Sequence, residues 1–193
     1  NSTYQIQNYK GKRFTSSFDI MNEGNIIGSF DLASPGFHNA LNATVAVAVA
    51  VDLGLSLEKI KKGISQFAGV ARRFQYRGEI NGVSFIDDYA HLPTEVKSAL
   101  EAAKAGNWNR IVAVFQPHRF TRTNDLASTF SDCFQDADEI VITGIYSAGE
   151  KAIPGVTGKL IADAVSSKAI GKNVRYCEHR EDLIVFLREL LTE

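Results

Sequence analysis

Two short stretches hold most of the groups in this chain that could carry chemistry. One is Asp87-Asp88-Tyr89-Ala90-His91-Leu92-Pro93-Thr94-Glu95, and the other is Gln116-Pro117-His118-Arg119-Phe120-Thr121-Arg122-Thr123. Each follows an apolar run, Val83 to Ile86 in the first case and Ile111 to Phe115 in the second. Such runs read as buried strands, and Pro93 suits the first turn of a helix, where a missing N–H costs nothing. Asp87 to His91 and His118 to Arg122 therefore fall at the carboxyl ends of strands, where parallel α/β sheets bind ligands. Two arginines and two histidines around one crevice ask for an anion. The plainer readings are an acidic turn in which an Asp caps a helix, and surface pairing of Arg119 and Arg122 with Asp125 or Asp132.

Two further groupings are weaker. Asn39 and Asn42 stand three apart at the start of an alanine-rich segment, so a helix there would present two carboxamides on one face, able to read the donor and acceptor edge of a planar base. The competing reading makes one Asn a helix cap and the other incidental. In Gly69-Val70-Ala71-Arg72-Arg73-Phe74 two adjacent arginines must point in different directions. One can act as a fork for phosphate or carboxylate while the other remains a surface charge.

The composition limits what such sites can belong to. The chain has 193 residues, 45% of them hydrophobic, and a formal net charge of −1. That is enough to bury a core, and it provides no basic field for nucleic acid and no polybasic anchor for a membrane surface. No apolar run reaches the ~18 residues of a membrane span. Cys133 and Cys177 are too few and too far apart for a disulfide framework or a metal motif, which points to a reducing interior with both thiols as buried filler. The polar segment Asn1 to Arg13 does not resemble a signal peptide, and the missing initiator Met suggests an excised piece.

The elements that must position these residues follow in order. Thr15 to Met21 and Ile26 to Leu32 alternate around Asn22-Glu23-Gly24, which predicts a hairpin. Ala43 to Val51 alternates Ala and Val, yet its length and flanking capping residues favour a buried helix over a strand. Gly54 ends that helix. Ser56 starts another, with Leu57, Ile60, Ile64 and Phe67 on one stripe and Lys59, Lys61 and Lys62 on a solvated face. Gln75 to Asn81 reads as a strand or linker punctuated by Gly78 and Gly82, and a domain boundary is placed near Phe74 to Gly78. Beyond it come four strand-helix units, with strands at Val83–Ile86, Ile111–Phe115, Glu139–Thr143 and Val174–Cys177. Helices follow them, marked by Val96, Ala99, Leu100 and Ala103, then Leu126, Phe130, Cys133 and Phe134, then Leu160, Ile161, Ala164 and Val165, and finally Leu183 to Leu191. The expectation is an α/β fold with a mostly parallel, doubly wound, Rossmann-like sheet, preceded by the β-hairpin and two helices. No G-x-G-x-x-G follows any strand. Because the first two strands of such a sheet are as a rule neighbours, His118, Arg119 and Arg122 are expected on the same edge as Asp88, Tyr89 and His91.

Five motifs in order carry a family resemblance: H-N-A-L-N at His38 to Asn42, G-V-A-R-R-F at Gly69 to Phe74, D-D-Y-A-H-L-P-T-E at Asp87 to Glu95, F-Q-P-H-R-F-T-R-T at Phe115 to Thr123, and Y-S-A-G-E at Tyr146 to Glu150. The chain resembles a bacterial Mur ligase over almost its whole length, and the fourth motif is the one associated with the member that adds L-alanine to UDP-N-acetylmuramate in peptidoglycan precursor synthesis. The resemblance implies that residues 1–77 are the end of a central ATP-binding domain and 78–193 most of a C-terminal amino-acid-binding domain. An N-terminal UDP-binding domain, a phosphate loop and most ligands for Mg2+ would then lie outside this chain, and the tail would stop short of a last strand. It further implies that ATP phosphorylates a carboxylate to an acyl phosphate, which an amine attacks.

By resemblance, His38, Asn39 and Asn42 lie on the adenine side of ATP, Arg73 meets the phosphates and Asp88 the ribose hydroxyls. Tyr89, His91, His118, Arg119 and Arg122 shape the amino-acid and acyl-phosphate side, with Arg73, Asp88 and His91 as the catalytic set and no metal site within this chain. Leu92 departs from the pattern, which has a second histidine there. The chain alone is expected to bind ATP weakly and to catalyse nothing, because Gly158-Lys159 and Gly171-Lys172 do not sit in a G-x-x-x-x-G-K-[ST] frame. Other readings of the same residues are a Mur-family ligase that recycles tripeptide, a non-catalytic nucleotide- or anion-binding module, and an unrelated transferase using His91 or His118 as base.

Overall fold

Three antiparallel strands open the chain in the computed structural model, which describes residues 3–191. They are β1 (Tyr4–Gly11), β2 (Ser16–Asn22) and β3 (Asn25–Leu32), in the order β1-β2-β3. The expected hairpin is β2–β3, closed by Glu23 at φ 49 and Gly24 at φ 84. Two consecutive left-handed residues are what a two-residue turn matched to strand twist requires. β1 was read only as a polar N-terminus. A shift in register between Gln7 and Lys10, with Asn8 at φ 52, interrupts its alternation and hides its period in the sequence.

α1 (Phe37–Asp52) and α2 (Leu57–Gln66) cover this sheet. Ala40, Ala43, Thr44 and Val47 of α1 are buried, a spacing of three and four that confirms the helix over the strand. They pack with Phe18, Ile20, Phe30, Leu32 and Ile60 into one core. The apparent Ala/Val alternation arises because α1 is apolar on its other face too, where Phe37, Leu41, Val45 and Val49 are exposed. Ser56 precedes α2, as its sequence suggested.

β4 (Gln75–Ile80) and β5 (Val83–Asp87) form a separate antiparallel pair, joined through Asn81 at φ 50 and Gly82 at φ 78. This corrects one expectation. The strand at Val83 to Ile86 pairs with β4 and, among the described residues, is not part of the parallel sheet. Asn-Gly between two strands is a strong hairpin signal, and it directs β5 back onto β4. The parallel sheet therefore has three strands, β6 (Val112–Phe115), β7 (Glu139–Thr143) and β8 (Asn173–Cys177), in that order.

α3 (Pro93–Ala105) precedes β6, α4 (Phe120–Leu126) follows it, α5 (Lys159–Ser166) joins β7 to β8, and α6 (Arg180–Leu190) comes last. Pro93 is the first residue of α3, as its chemistry favours. The helix expected through Leu126, Phe130, Cys133 and Phe134 tightens into a 3-10 turn at Ala127–Asp132. There the Thr129 hydroxyl donates to the Leu126 carbonyl at 2.6 Å, competing with the α-helical pattern. Phe130, Cys133 and Phe134 are nevertheless buried, with Ile140, Ile142, Ile161 and Val165, in a second core.

The chain divides into two compact units. One runs to Tyr89 and includes Glu101–Trp108, and the other comprises Ala90–Leu100 and the residues from Asn109 onward.

Candidate active site

Within the first unit, the turn carrying Arg73 is held in a demanding backbone conformation. Arg72 has φ 57 and Phe74 φ 47, left-handed values that side chains with a Cβ rarely adopt. Three hydrogen bonds fix this turn. Asp88 Oδ2 accepts from the Phe74 N–H at 2.9 Å, the Tyr89 N–H donates to the Arg72 carbonyl at 2.8 Å, and the Arg72 N–H donates to Gln75 Oε1 at 2.9 Å. The Arg72 guanidinium lies 4.8 Å above the Tyr89 ring and 3.5 Å from Asp87. Arg72 is the one used to close the turn, and Arg73 sits between two residues of positive φ.

The start of α1 contributes to the same unit. Gly36, at φ 97, has no room for a Cβ, which would come within 2.6 Å of the His38 ring and 3.2 Å of Ala102. His38 thus folds back over its own helix start. Burial lowers its pKa, the charge of Arg73 adds to the lowering, and Asp88 and Glu101 oppose it. His38, Arg73 and Asp88 are electrostatic neighbours. Asn39 donates its amide to Ser34 Oγ at 2.9 Å and to the Pro35 carbonyl at 2.7 Å. That amide fixes the loop before α1, much as the capping alternative foresaw, while Asn42 is exposed one turn on. By donor type these groups suit a nucleotide, with carboxamides for a base, a carboxylate for hydroxyls and a guanidinium for phosphate.

The second unit gathers His91, His118, Arg119 and Arg122. His91 ends the segment before α3, and Glu95 reaches back from the first turn of that helix. Its Oε2 accepts from the His91 N–H at 3.0 Å and the Leu92 N–H at 3.2 Å, and lies 3.4 Å from His91 Nδ1. This is the reciprocal half of a capping box. The His91 and His118 rings are 5.9 Å apart. An Arg122 N–H donates to His118 Nδ1 at 3.1 Å, which places the proton of neutral His118 on Nε2. Burial, then the charges of Arg122, Arg119 and His91, hold the His118 pKa below its ordinary value, and Glu150 opposes them.

The loop after β7 completes the group. His118 and Tyr146 form a parallel bridge that carries the β6–β7 ladder past the strand ends. The Arg119 N–H donates to the Tyr146 carbonyl and the Tyr146 N–H to the Pro117 carbonyl, both at 2.8 Å. Arg119 precedes α4 at φ 75 and ψ 139, an unusual place for a side chain. Its guanidinium is 3.8 Å from Glu150. Neither Arg119 nor Arg122 takes the surface partners first considered, since Asp132 pairs with Lys168 at 3.0 Å and Arg122 binds His118.

His91 and His118 are thus brought together, whereas Asp88 and Tyr89 close β5 in the other unit. The strand pairing behind the expected shared edge is absent among the described residues, because β5 pairs with β4 and not with β6. Glu95 and Glu150 stand within the motifs, and the sequence does not single out either as a site residue. The capping-box spacing could have revealed Glu95. Glu150 meets Thr121 from 29 residues away, and no local pattern marks it. Among the described residues no group of three or more His, Cys, Asp or Glu side chains could hold a metal ion, and no helix is long and apolar enough to cross a membrane.

Known proteins share both the sequence and the fold. The family described as Mur ligase, glutamate ligase domain, matches residues 72–193. A UDP-N-acetylmuramate–L-alanine ligase of Pelotomaculum thermopropionicum is 43% identical over 187 residues, covering 97% of this chain and 40% of the relative. The chain therefore spans about two fifths of the length of the curated relatives it matches. The crystal structure of UDP-N-acetylmuramate-alanine ligase from Thermotoga maritima matches with a TM-score of 0.78 at 31% identity, covering 95% of this chain and 39% of that one. Folylpolyglutamate synthase of Mycobacterium tuberculosis, solved with ADP and AMPPCP, shares the fold at a TM-score of 0.69 and 16% identity, over 100% of this chain and 42% of that one. With its motifs in order and its second unit inside the matched residues, the chain belongs to the Mur ligase family.

Proposed function

We propose that the protein containing this chain joins L-alanine to UDP-N-acetylmuramate in the cytoplasm, as an ATP-dependent amide ligase of peptidoglycan precursor synthesis. The observation that carries this reading is the cluster of His91, His118, Arg119 and Arg122 in a chain about 40% identical to ligases of that name. ATP would supply the phosphoryl group that activates the muramoyl carboxylate, accompanied by Mg2+ on ligands outside this chain.

Residues 78–193 then serve as the amino-acid-binding domain. Arg119 and Arg122 receive the carboxylate of L-alanine as guanidinium forks. His91, its Nδ1 beside Glu95, takes a proton from the incoming ammonium group, which must lose one before it can attack. His118 carries its proton on Nε2, as a donor, and the resemblance assigns Tyr89 to the substrate. Residues 1–77 serve as the end of the ATP-binding domain. There His38, Asn39 and Asn42 meet the adenine, with Asn39 held in place by its loop, and Arg73 meets the phosphates, while Asp88, beyond residue 77 but in the same compact unit, meets the ribose.

The test is Arg119→Ala in the full-length protein. A charged hydrogen bond is worth roughly 1.5–3 kcal/mol, so the apparent KM for L-alanine should rise about tenfold or more while that for ATP stays near wild type. An equal rise in both would refute the assignment.

A further inference from the structure

Glu150 reaches its position through an unusual turn. The Glu150 N–H donates to the Ser147 carbonyl at 3.0 Å, and between them Ala148 at φ 49 and Gly149 at φ 86 are both left-handed. Two such residues in succession reverse the chain and aim the carboxylate at the start of α4. Both carboxylate oxygens are then used. Oε2 accepts from the Thr121 N–H at 3.1 Å, and Oε1 accepts from the Thr121 hydroxyl at 2.8 Å while lying 3.8 Å from Arg119 Nη1. The carboxylate is thus anchored at Thr121, and its remaining attraction falls on one edge of the guanidinium. Arg119 stands just before α4 with its backbone outside the α-helical region, and its side chain is 49% exposed. A flexible, half-exposed guanidinium beside a fixed carboxylate takes its direction from that carboxylate.

We propose that Glu150 is a positioning residue, which holds Arg119 in the orientation that receives the carboxylate of the incoming amino acid. It also leaves that corner with one net positive charge, from two arginines and one carboxylate, which matches a single substrate carboxylate. This inference rests on the reading of Arg119 as a contact to the amino-acid substrate. Glu150 touches no reacting atom and acts only through Arg119.

The experiment uses the full-length protein and compares L-alanine with L-alaninamide, which keeps the amine and lacks the carboxylate. Glu150→Gln retains an oxygen acceptor for Thr121 and removes the charge. The expected result is an apparent KM for L-alanine raised about threefold to fivefold, the range of a partly exposed ion pair. The KM for ATP, the kcat, the melting temperature and the use of L-alaninamide should stay near wild type. The double variant Glu150→Gln with Arg119→Ala should be no worse than Arg119→Ala alone.

An unchanged KM for L-alanine in Glu150→Gln, or full additivity in the double variant, would overturn the inference and leave the proposed function standing. Parallel losses in kcat, both KM values and melting temperature would show that Glu150 only supports the fold, and would also overturn it. A wild-type protein that does not ligate L-alanine would remove the functional reading itself, and the inference with it.

Discussion

Replacing Glu95 by Ala tests whether one carboxylate both starts a helix and sets a histidine. Three groups depend on Oε2: the N–H of His91 at 3.0 Å, the N–H of Leu92 at 3.2 Å, and His91 Nδ1 at 3.4 Å. Losing a helix cap costs about 0.5–2 kcal/mol, and a backbone hydrogen bond to a charged acceptor is worth about 1.5–3 kcal/mol before solvent competes. The Glu95 side chain is 26% exposed, so water recovers part of the loss. A net cost of about 2 kcal/mol follows, which for a chain of this size lowers the melting temperature by about 4–8 °C. Glu95→Gln keeps an oxygen that can accept from both amides and loses only the charge, so it should fall between wild type and Glu95→Ala. Thermal melts followed by circular dichroism measure this. Amide hydrogen exchange should speed up at His91 and Leu92 before any position in α3. A Glu95→Ala melting temperature within about 1 °C of wild type would refute the capping argument, and Gln as harmful as Ala would show that charge, not the shared acceptor, matters.

Two further outcomes follow from geometry and charge. A Cβ at Gly158 would come within 2.1 Å of the Thr143 carbonyl oxygen, a backbone atom that cannot step aside. Gly158→Ala should therefore cost about 2–3 kcal/mol in a denaturant titration, and a cost under half that would mean the β7 end yields easily. His118 has a folded-state pKa depressed below its ordinary 6.5, so the unfolded chain binds more protons in the window beneath that value. Its contribution to stability is complete above pH 6.5 and is lost as the pH falls through the folded pKa. His118→Gln should flatten that part of the stability profile, and an unchanged profile would rule His118 out as its source.

The sequence carried more of the fold than of the pairing. Length and flanking capping residues located α1 against its apparent alternation, periodicity located α2, and glycine at the Asn22-Glu23-Gly24 turn located the β2–β3 hairpin. The same turn chemistry stands at Asn81-Gly82, but the apolar run of β5 ahead of a helix resembles a parallel strand more strongly than a hairpin arm. β1 was hidden by its irregular register, because a single extra residue moves the inward positions from one parity to the other. The residue types of the candidate site were legible, since charged and aromatic groups at strand ends stand out against apolar runs. Their partners were not. Glu150 reaches Thr121 only after the chain has passed through β7, and nothing local to either residue encodes that meeting. Arg122 turns to His118 four residues back rather than to Asp125, a choice that one helical turn permits and only packing decides.

Arg119 places folding and chemistry in opposition at a single position. Its φ of 75 is a value that glycine adopts freely and that a residue with a Cβ adopts at a cost of order 1 kcal/mol or more. A library at this position selected only for folding or thermal resistance would drift towards glycine, and the same library selected for ligation would keep arginine. The best-folded variants would then be the ones that have lost the guanidinium, so heat resistance used alone as a screen would enrich for inactive protein.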